Sequence, residues 1–549
     1  MSKNLSMLFK RKGLNKTLLE QVTDKNNPKS HSEIAQEYLV GEAVVTGTAS
    51  FYDFINHKKA EHKVFVCNGT SCLCAGSQAD VIAPLLQHFQ QTSIGHVTCL
   101  GRCHENYAFQ IDGQNYSGND IKKLDSILNH QYDNNEEYNV TALCTEPVLT
   151  QKISDVFEYY ALFDKLTSQE SPESLLKQLI QSNLRGRGGA GFPTGIKWQT
   201  CRNALGKDKY IVCNADEGDP GAFSDRYLLE QNPHSVLFGM LMAGYIVGSN
   251  IGILYIRDEY PDAIDLCEQA IEEFEQLNIN FDFNFKVIRG AGSYICGEET
   301  ALLRSIEGQR PEVSIRPPYP AEEGLFNQPT IVNNVETFSA IHWIFEHGAE
   351  KFIQRGSKQS SGTKLLSLDS AFKTPGIYEV DMGTPLRTII DAAGGFSQPV
   401  KALHIGGPLG GVVPQWKIDE INVDYESFDE QGFLLGHASI IGIPASFPFV
   451  RYIQHLFEFT AKESCGKCFP CRLGAIRGKE IFEEAIYGDT RIDFNLLEDL
   501  LSTMKLGSLC ALGGGVPLPI QNILEYFSEE LIPYIDTSKQ SDRIPVKEE

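Results

Sequence analysis

The sequence predicts a multidomain α/β protein, and three observations carry that reading. Its 549 residues allow three or four domains at about 150 residues each. Through the middle of the chain, short apolar strands alternate with amphipathic helices, the pattern of a parallel sheet with helices on its faces. Eight of the 14 cysteines fall into two clusters, one towards each end. A net charge of −23 and a pI near 5.1 leave no basic face for nucleic acid or an anionic membrane surface. The N-terminal residues lack the apolar run of a signal peptide, so the chain reads as cytoplasmic and its thiols need a use other than disulfides. The most hydrophobic stretch, 235–256, is interrupted by Ser249 and Asn250 and thinned by four glycines. It predicts a buried helix running into a buried strand, with no membrane insertion.

In chain order, residues 1–60 are polar and mixed, with one expected helix over 32–40. Residues 61–133 form a compact α/β unit: a strand at 63–67, a helix over 80–89, a strand at 96–99 and an alternating segment at 108–113. Residues 134–137 read as a linker. Cys67 and Cys72 follow the first strand and Cys99 and Cys103 the second, so four thiolates converge at one end of the unit. That suits a 2Fe-2S cluster, with zinc or plain core thiols as alternatives. Cys74 is an unassigned extra thiol.

Ser171 and Pro172 open a helical pattern as N-cap and first residue, and glycines begin where it stops. The run LRGRGGAGFPTGIK at 184–197 holds five glycines, and Arg185, Arg187 and Lys197 add positive charge. Such a loop lets backbone N–H groups approach a phosphate-bearing cofactor; the alternative is a flexible linker. A strand at 210–213 breaks into CNADEGDPGAF, placing polar residues at the carboxyl end of a buried strand, where ligands sit in such sheets. A further strand at 283–288 delivers RGAGSYICGEET, and a helix from 298 to 306 ends at Gly308. The acids at its start are either ligand-facing or N-terminal charge stabilisation. Residues 362–443 show short strands and turns with a helix over 385–393. The last segment is helical and carries Cys465, Cys468 and Cys471, with Cys510 further on. That spacing wraps a 4Fe-4S cluster, structural zinc being the alternative.

VCNGTSCL at 66–73 and CLGRC at 99–103 resemble the thioredoxin-like 2Fe-2S ferredoxin domain of respiratory complex I. The glycine loop, CNADEGDPGAF, RGAGSYICGEET and PTIVNNVET at 329–337 stand in the order of the complex I NADH-binding flavoprotein family. The resemblance implies a thioredoxin-like 2Fe-2S domain at 61–133, a Rossmann-like FMN- and NAD-binding domain at 134–360 and a ubiquitin-like β-grasp domain at 361–445. A helical 4Fe-4S bundle at 446–536 and a charged tail at 537–549 complete it. It places FMN against Gly186, Gly188, Lys197, Asn214, Asp216, Glu217, Tyr294, Gly297, Glu298, Glu299, Asn333, Asn334 and Thr337. NAD would meet Phe192, Asp219, Glu299, Arg316 and Tyr319, with Glu217 and Glu299 as the catalytic carboxylates. Three positions depart from the family pattern: Thr200 where a second aromatic is expected, RPPYP at 316–320, and Asp219 in place of the commoner Glu, which favours NAD over NADP.

Nicotinamide exchanges a hydride whereas iron–sulfur clusters carry single electrons, and a flavin between them converts one into the other. The fused ferredoxin unit and the absence of an eight-cysteine C-terminal domain resemble the beta subunit of soluble NAD-dependent formate dehydrogenases. That resemblance implies a hetero-oligomer with a large molybdenum or tungsten subunit bearing further clusters, and a small 2Fe-2S subunit. The diaphorase of an NAD-reducing hydrogenase, an NADH-quinone oxidoreductase flavoprotein and a non-catalytic iron–sulfur scaffold are the alternative readings.

Overall fold

The computed structural model describes residues 28–55, 62–76, 78–132 and 137–536, together with 6, 9–11, 13, 14, 16–24 and 538. Most of the expected linker and all but Ser538 of the charged tail lie outside these residues. Four parallel strands form the central sheet: β6 (Tyr210–Ala215), β7 (Ile251–Ile256), β8 (Asn284–Arg289) and β9 (Thr330–Asn334), in the order β8-β7-β6-β9. The strand period of two sorts their side chains. Ile211, Cys213, Ala215, Leu254 and Ile256 enter one apolar core, and Tyr210, Val212, Ile253 and Tyr255 enter another on the opposite face.

The first face is covered by the helix Pro233–Val247, which leads into β7 as the hydrophobic stretch predicts. No helix among the described residues is long and apolar enough to cross a membrane. The second face is covered by the helix Glu299–Ile306 and by N-terminal helices at Leu18–Thr23, His31–Tyr38 and Glu42–Ala49. The expected helix over 32–40 is therefore one of several, and Leu18, Leu19, Ile34, Tyr38 and Val45 are buried against the sheet.

The ferredoxin unit has strands β1 (Val64–Cys67), β2 (Ile94–Val97), β3 (Phe109–Ile111) and β4 (Gln114–Tyr116), ordered β2-β1-β3-β4, with β1 and β2 parallel. A third sheet contains β10 (Thr363–Leu368), β11 (Gly376–Asp381), β12 (Val400–Ile405), β13 (Gly411–Pro414) and β14 (Ser439–Pro444), with the helix Leu386–Ala392. Its edge comes from far upstream: β5 (Val140–Ala142) pairs in parallel with β11, Val140 opposite Ile377. Glu379 on β11 then accepts the backbone N–H groups of Val148, Leu149 and Thr150 at 2.8–3.0 Å. The C-terminal bundle includes the helices Phe449–Glu463, Phe469–Tyr487, Phe494–Gly507 and Pro517–Tyr526 around a shared apolar core.

Lys364 on β10 and Glu336 beside β9 form a fully buried ion pair between the central and third sheets. Removing one partner leaves a charge buried without compensation, at a cost of about 3–5 kcal/mol. Lys364→Met is expected to lower stability by that amount in urea titration, and Lys364→Met with Glu336→Leu to recover most of it.

Candidate functional site

The helix Pro172–Gln181 starts as expected, Ser171 Oγ accepting from Ser174 N, and the glycine run follows it as a closed loop. Gly186 N donates to Phe192 O at 2.8 Å and Thr194 N to Leu184 O at 2.9 Å, so this is no flexible linker. Gly189 and Gly191 hold φ of +120° and +60°, and a Cβ on Gly188 would sit 3.0 Å from Asn334 Cβ. The positive charge expected on the loop is turned elsewhere. Arg187 is buried, its guanidinium donating to Ser361 O at 2.6 Å, while Arg185 pairs with Glu426 and lies over the Tyr425 ring. Both brace the loop against the third sheet. Lys197 remains near the opening, donating to Val332 O at 2.9 Å and lying 3.9 Å from Glu299 Oε2; burial pushes its pKa down.

At the carboxyl end of β6, Asn214 Nδ2 donates to Gly297 O at 2.8 Å and joins the two expected flavin motifs. Asp216 Oδ2 is buried without a hydrogen-bond partner, and burial raises its pKa well above the usual carboxylate range. Glu217 points the other way. Its carboxylate accepts Asp225 N at 2.9 Å, Arg226 N at 3.0 Å and the Tyr260 hydroxyl at 3.1 Å, as an anion over the N-terminus of the helix Ser224–Gln231. Burial, and then the neighbouring Asp225, push it up to about 7. Asp219 accepts from the Tyr294 hydroxyl at 2.7 Å.

In the second glycine turn, Glu298 is the N-cap of Glu299–Ile306, accepting Thr300 N and Ala301 N at 3.0 Å, so one of its oxygens serves the helix. Glu299 meets Arg316 at 2.7 Å and Lys197 at 3.9 Å, which brings three sequence-identified residues together. Phe192 and Tyr319 are 51% and 53% exposed, leaving ring faces free to stack. Asn333 Oδ1 accepts from Trp198 Nε1, Asn334 caps the helix Val335–Ser339, and Thr337 Oγ1 accepts Arg187 N at 2.9 Å. Sequence reasoning missed Asp225 and His437. His437 Nε2 lies 3.0 Å from Asp225 Oδ2 and its Nδ1 3.7 Å from Glu217 Oε1; no spacing motif announces a group assembled from separate elements.

The four N-terminal cysteines converge: Cys99 and Cys103 sulfurs are 3.6 Å apart and Cys67 reaches Cys72 and Cys99. Backbone N–H groups point at the sulfurs, Gly69 at Cys67 (3.5 Å), Gly101 at Cys99 (3.4 Å) and Gly221 at Cys103 (3.2 Å). The last donor belongs to CNADEGDPGAF, so the flavin motif touches the ferredoxin centre. Cys74 faces a different core, shared with Tyr452. Cys465, Cys468, Cys471 and Cys510 gather in one apolar cluster with Ile295, Ala301, Phe459 and Tyr294. A Cβ on Gly513 would meet Cys471 at 2.5 Å, so the glycine keeps that space for sulfur. The donor sets fit the groups expected of them: soft sulfur for iron at both clusters, and a glycine cradle with an orphaned buried carboxylate oxygen for a phosphorylated flavin.

Against known families, residues 179–343 match the Nuo51 FMN-binding domain and 451–533 the NADH-ubiquinone oxidoreductase-F iron–sulfur binding region. Residues 18–132 match the thioredoxin-like 2Fe-2S ferredoxin and 372–413 the SLBB domain. An NADH-quinone oxidoreductase subunit of Rhizobium meliloti is 39% identical over 390 residues, covering 69% of this chain and 92% of the relative. The chain belongs to the family of NADH-binding flavoprotein subunits. It carries FMN-binding, 4Fe-4S and 2Fe-2S domains and is an NAD-dependent oxidoreductase subunit of the NADH dehydrogenase type. The NADP-reducing hydrogenase subunit HndC of Solidesulfovibrio fructosivorans is 40% identical over 381 residues, covering 67% of this chain and 77% of its own. A chain in the crystal structure of an NAD+-reducing NiFe-hydrogenase in the H2-reduced state superposes with a TM-score of 0.84 at 28% identity, covering 94% of this chain and 93% of that one.

Cys510 is the one cysteine of the expected 4Fe-4S set that lies outside the 465–471 run, and the Cys510→Ala variant tests it as a ligand. The anaerobically purified variant is expected to lose the four-iron EPR signal and the matching iron while keeping the two-iron signal.

Proposed function

We propose that this chain is a diaphorase, exchanging hydride between NAD(H) and FMN and single electrons between FMN and the Cys465–Cys468–Cys471–Cys510 centre. FMN, when bound, supplies the conversion between two-electron and one-electron transfer. The observation that carries the reading is the turn RGAGSYICGEET: Tyr294 and Ile295 pack on the four cysteines, while Gly297 O accepts from Asn214 Nδ2 and Gly297 borders Asp216. A single turn thus walls both the flavin site and the cubane site.

In this reading Gly186, Gly188, Asn333, Asn334 and Thr337 hold the phosphate end of FMN, and Asn214, Asp216, Glu217, Tyr294, Gly297 and Glu298 border its ribityl chain and ring. Lys197 and Glu299 stand at the opening with Arg316. Phe192 and Tyr319 offer rings to the nicotinamide nucleotide, and Glu299 orients its polar groups. Asp219, held by Tyr294, is the proposed discriminator against a 2′-phosphate. Since one relative is named as NADP-reducing, that preference rests on this chain's own residues. The third sheet and the helix Leu386–Ala392 are read as the ubiquitin-like β-grasp unit, and 14 cysteines, none in a disulfide, support a cytoplasmic location.

Phe469, Leu473 and Ile476 form an exposed apolar stripe at helical spacing on the helix that carries Cys471, and Leu506 and Leu509 are exposed beside Cys510. A partner chain carrying the next electron acceptor is proposed to dock there. Two partners are weighed. The sequence resemblance favours the molybdenum or tungsten subunit of a formate dehydrogenase with its small 2Fe-2S subunit; the end-to-end structural likeness favours a NiFe-hydrogenase. Molybdenum or tungsten in the co-purifying large subunit selects the first, nickel the second.

FMN-reconstituted protein is expected to reduce ferricyanide with NADH and to leave formate untouched; a non-catalytic scaffold would not reduce ferricyanide. Glu299→Gln, which frees Arg316 and Lys197 from their shared carboxylate, is expected to raise the KM for NADH about tenfold with a smaller change in kcat. Asp219→Ala is expected to narrow the NADH over NADPH preference in the same assay, and an unchanged ratio removes Asp219 from that role.

A further inference from the structure

Behind the glycine loop Glu217 belongs to a buried charge cluster whose other members, Asp225 and His437, have no role in the proposed reaction. Asp225 and Glu217 are 1% and 4% exposed and His437 7%. Asp225 Oδ2 accepts from Asn334 Nδ2 at 2.5 Å and from His437 Nε2 at 3.0 Å, while Asp225 Oδ1 is buried without a hydrogen-bond partner. His437 Nδ1 makes no hydrogen bond and lies 3.7 Å from Glu217 Oε1, at ion-pair distance. Each ring nitrogen therefore faces a different carboxylate. A metal ion would take one nitrogen; a ring shared between two acids is the geometry of an imidazolium, with both nitrogens protonated.

The cluster adjoins the phosphate end of the proposed flavin pocket. Asn334, which touches the Gly188 cradle, is hydrogen-bonded directly to Asp225, and Gly436 packs within 3.8 Å of the position a Gly189 Cβ would take. Two buried carboxylates at that place would repel a phosphate dianion, and low local dielectric makes the repulsion strong. We infer that His437 is a positioning residue whose positive charge, held between Asp225 and Glu217 behind Asn334, offsets one of the two carboxylate charges and lets the pocket accept the phosphate of FMN. The inference rests on the reading that Asn334 and the glycine loop hold that phosphate.

The charged groups facing His437 are Asp225 on the helix Ser224–Gln231, Glu217 and Asp219 on the loop after β6, and Lys364 on β10, itself paired with Glu336. Burial alone would push the imidazole pKa down; Asp225 first, then Glu217, overcome it and raise it from 6.5 to about 9. A folded-state pKa raised in this way means that the contribution is complete below 6.5 and is lost as pH rises through about 9. Glu217, pushed up to about 7, changes charge at lower pH and marks a separate limb.

The test compares FMN with riboflavin, which lacks the phosphate, by fluorescence titration of flavin-free protein. Wild type is expected to prefer FMN, with the preference falling as pH passes about 9. His437→Gln is expected to lower that preference about tenfold at neutral pH, to flatten its alkaline limb and to leave riboflavin binding unchanged. Asp225→Asn combined with His437→Gln, which removes both charges, is expected to recover most of the preference. A structural defect would weaken both flavins equally. An unaltered FMN-to-riboflavin ratio in His437→Gln, or a double variant no better than the single, overturns the inference. A wild type that does not distinguish the two flavins overturns the reading of the pocket itself.

Discussion

The carboxylate of Glu463 is where three units of the chain meet. It ends the helix Phe449–Glu463 two residues before Cys465. Its Oε1 accepts from Thr98 Oγ1 at 2.5 Å, next to Cys99 of the ferredoxin unit, and its Oε2 accepts from Tyr294 N at 2.9 Å in the flavin domain. Burial raises its pKa, so the site holds a carboxylate at a desolvation cost that these two hydrogen bonds offset only in part. Tyr294 passes the connection on to Asp219 through its hydroxyl. Both cysteine clusters and the flavin turn are registered against one another through this single side chain, and electron transfer between separate centres depends on such fixed spacing.

Backbone amides and buried arginines complete the frame. Gly221 donates to the Cys103 sulfur, and Arg257 donates to Cys99 O at 2.9 Å as well as to the Glu217 carbonyl. Arg257 thereby ties the ligand loop of the ferredoxin unit to the end of β6. Although the chain is acidic overall, its interior is pinned by cations: Arg187, Arg226 and Arg257 are all buried with partners. Buried acids, Glu217, Asp225, Glu336, Glu379 and Glu463 among them, share that interior.

What the sequence made legible was local. The Ser171 cap, the strands β6 to β8, the helix leading into β7 and both cysteine sets each have a signature within a few residues, set by capping, period and ligand spacing. The Glu298 carboxylate shows how far that goes: pattern alone allowed either a ligand contact or helix stabilisation, and one of its oxygens is bound to the helix. Features that depend on distant partners had no signature. The three residues of β5 are too few to show a period, the apolar faces of Leu18–Thr23 and Glu42–Ala49 give no hint of the sheet they cover, and Arg187 reads as loop charge until Ser361 and Met382 are in place around it. Glu217 was found by resemblance, yet its orientation onto the helix Ser224–Gln231 follows from tertiary packing alone.

The pairing of β5 with β11 makes the chain close on itself. A segment upstream of the flavin sheet is knitted into the sheet downstream of it, and the Glu379 carboxylate clasps the ascending chain at three successive amides. The flavin module is consequently a loop-out between two stitched ends and not a bead on a string. Shuffling it into another scaffold would leave an open strand edge on one side and, on the other, a buried acid stripped of its three amides, so these modules are constrained to travel together.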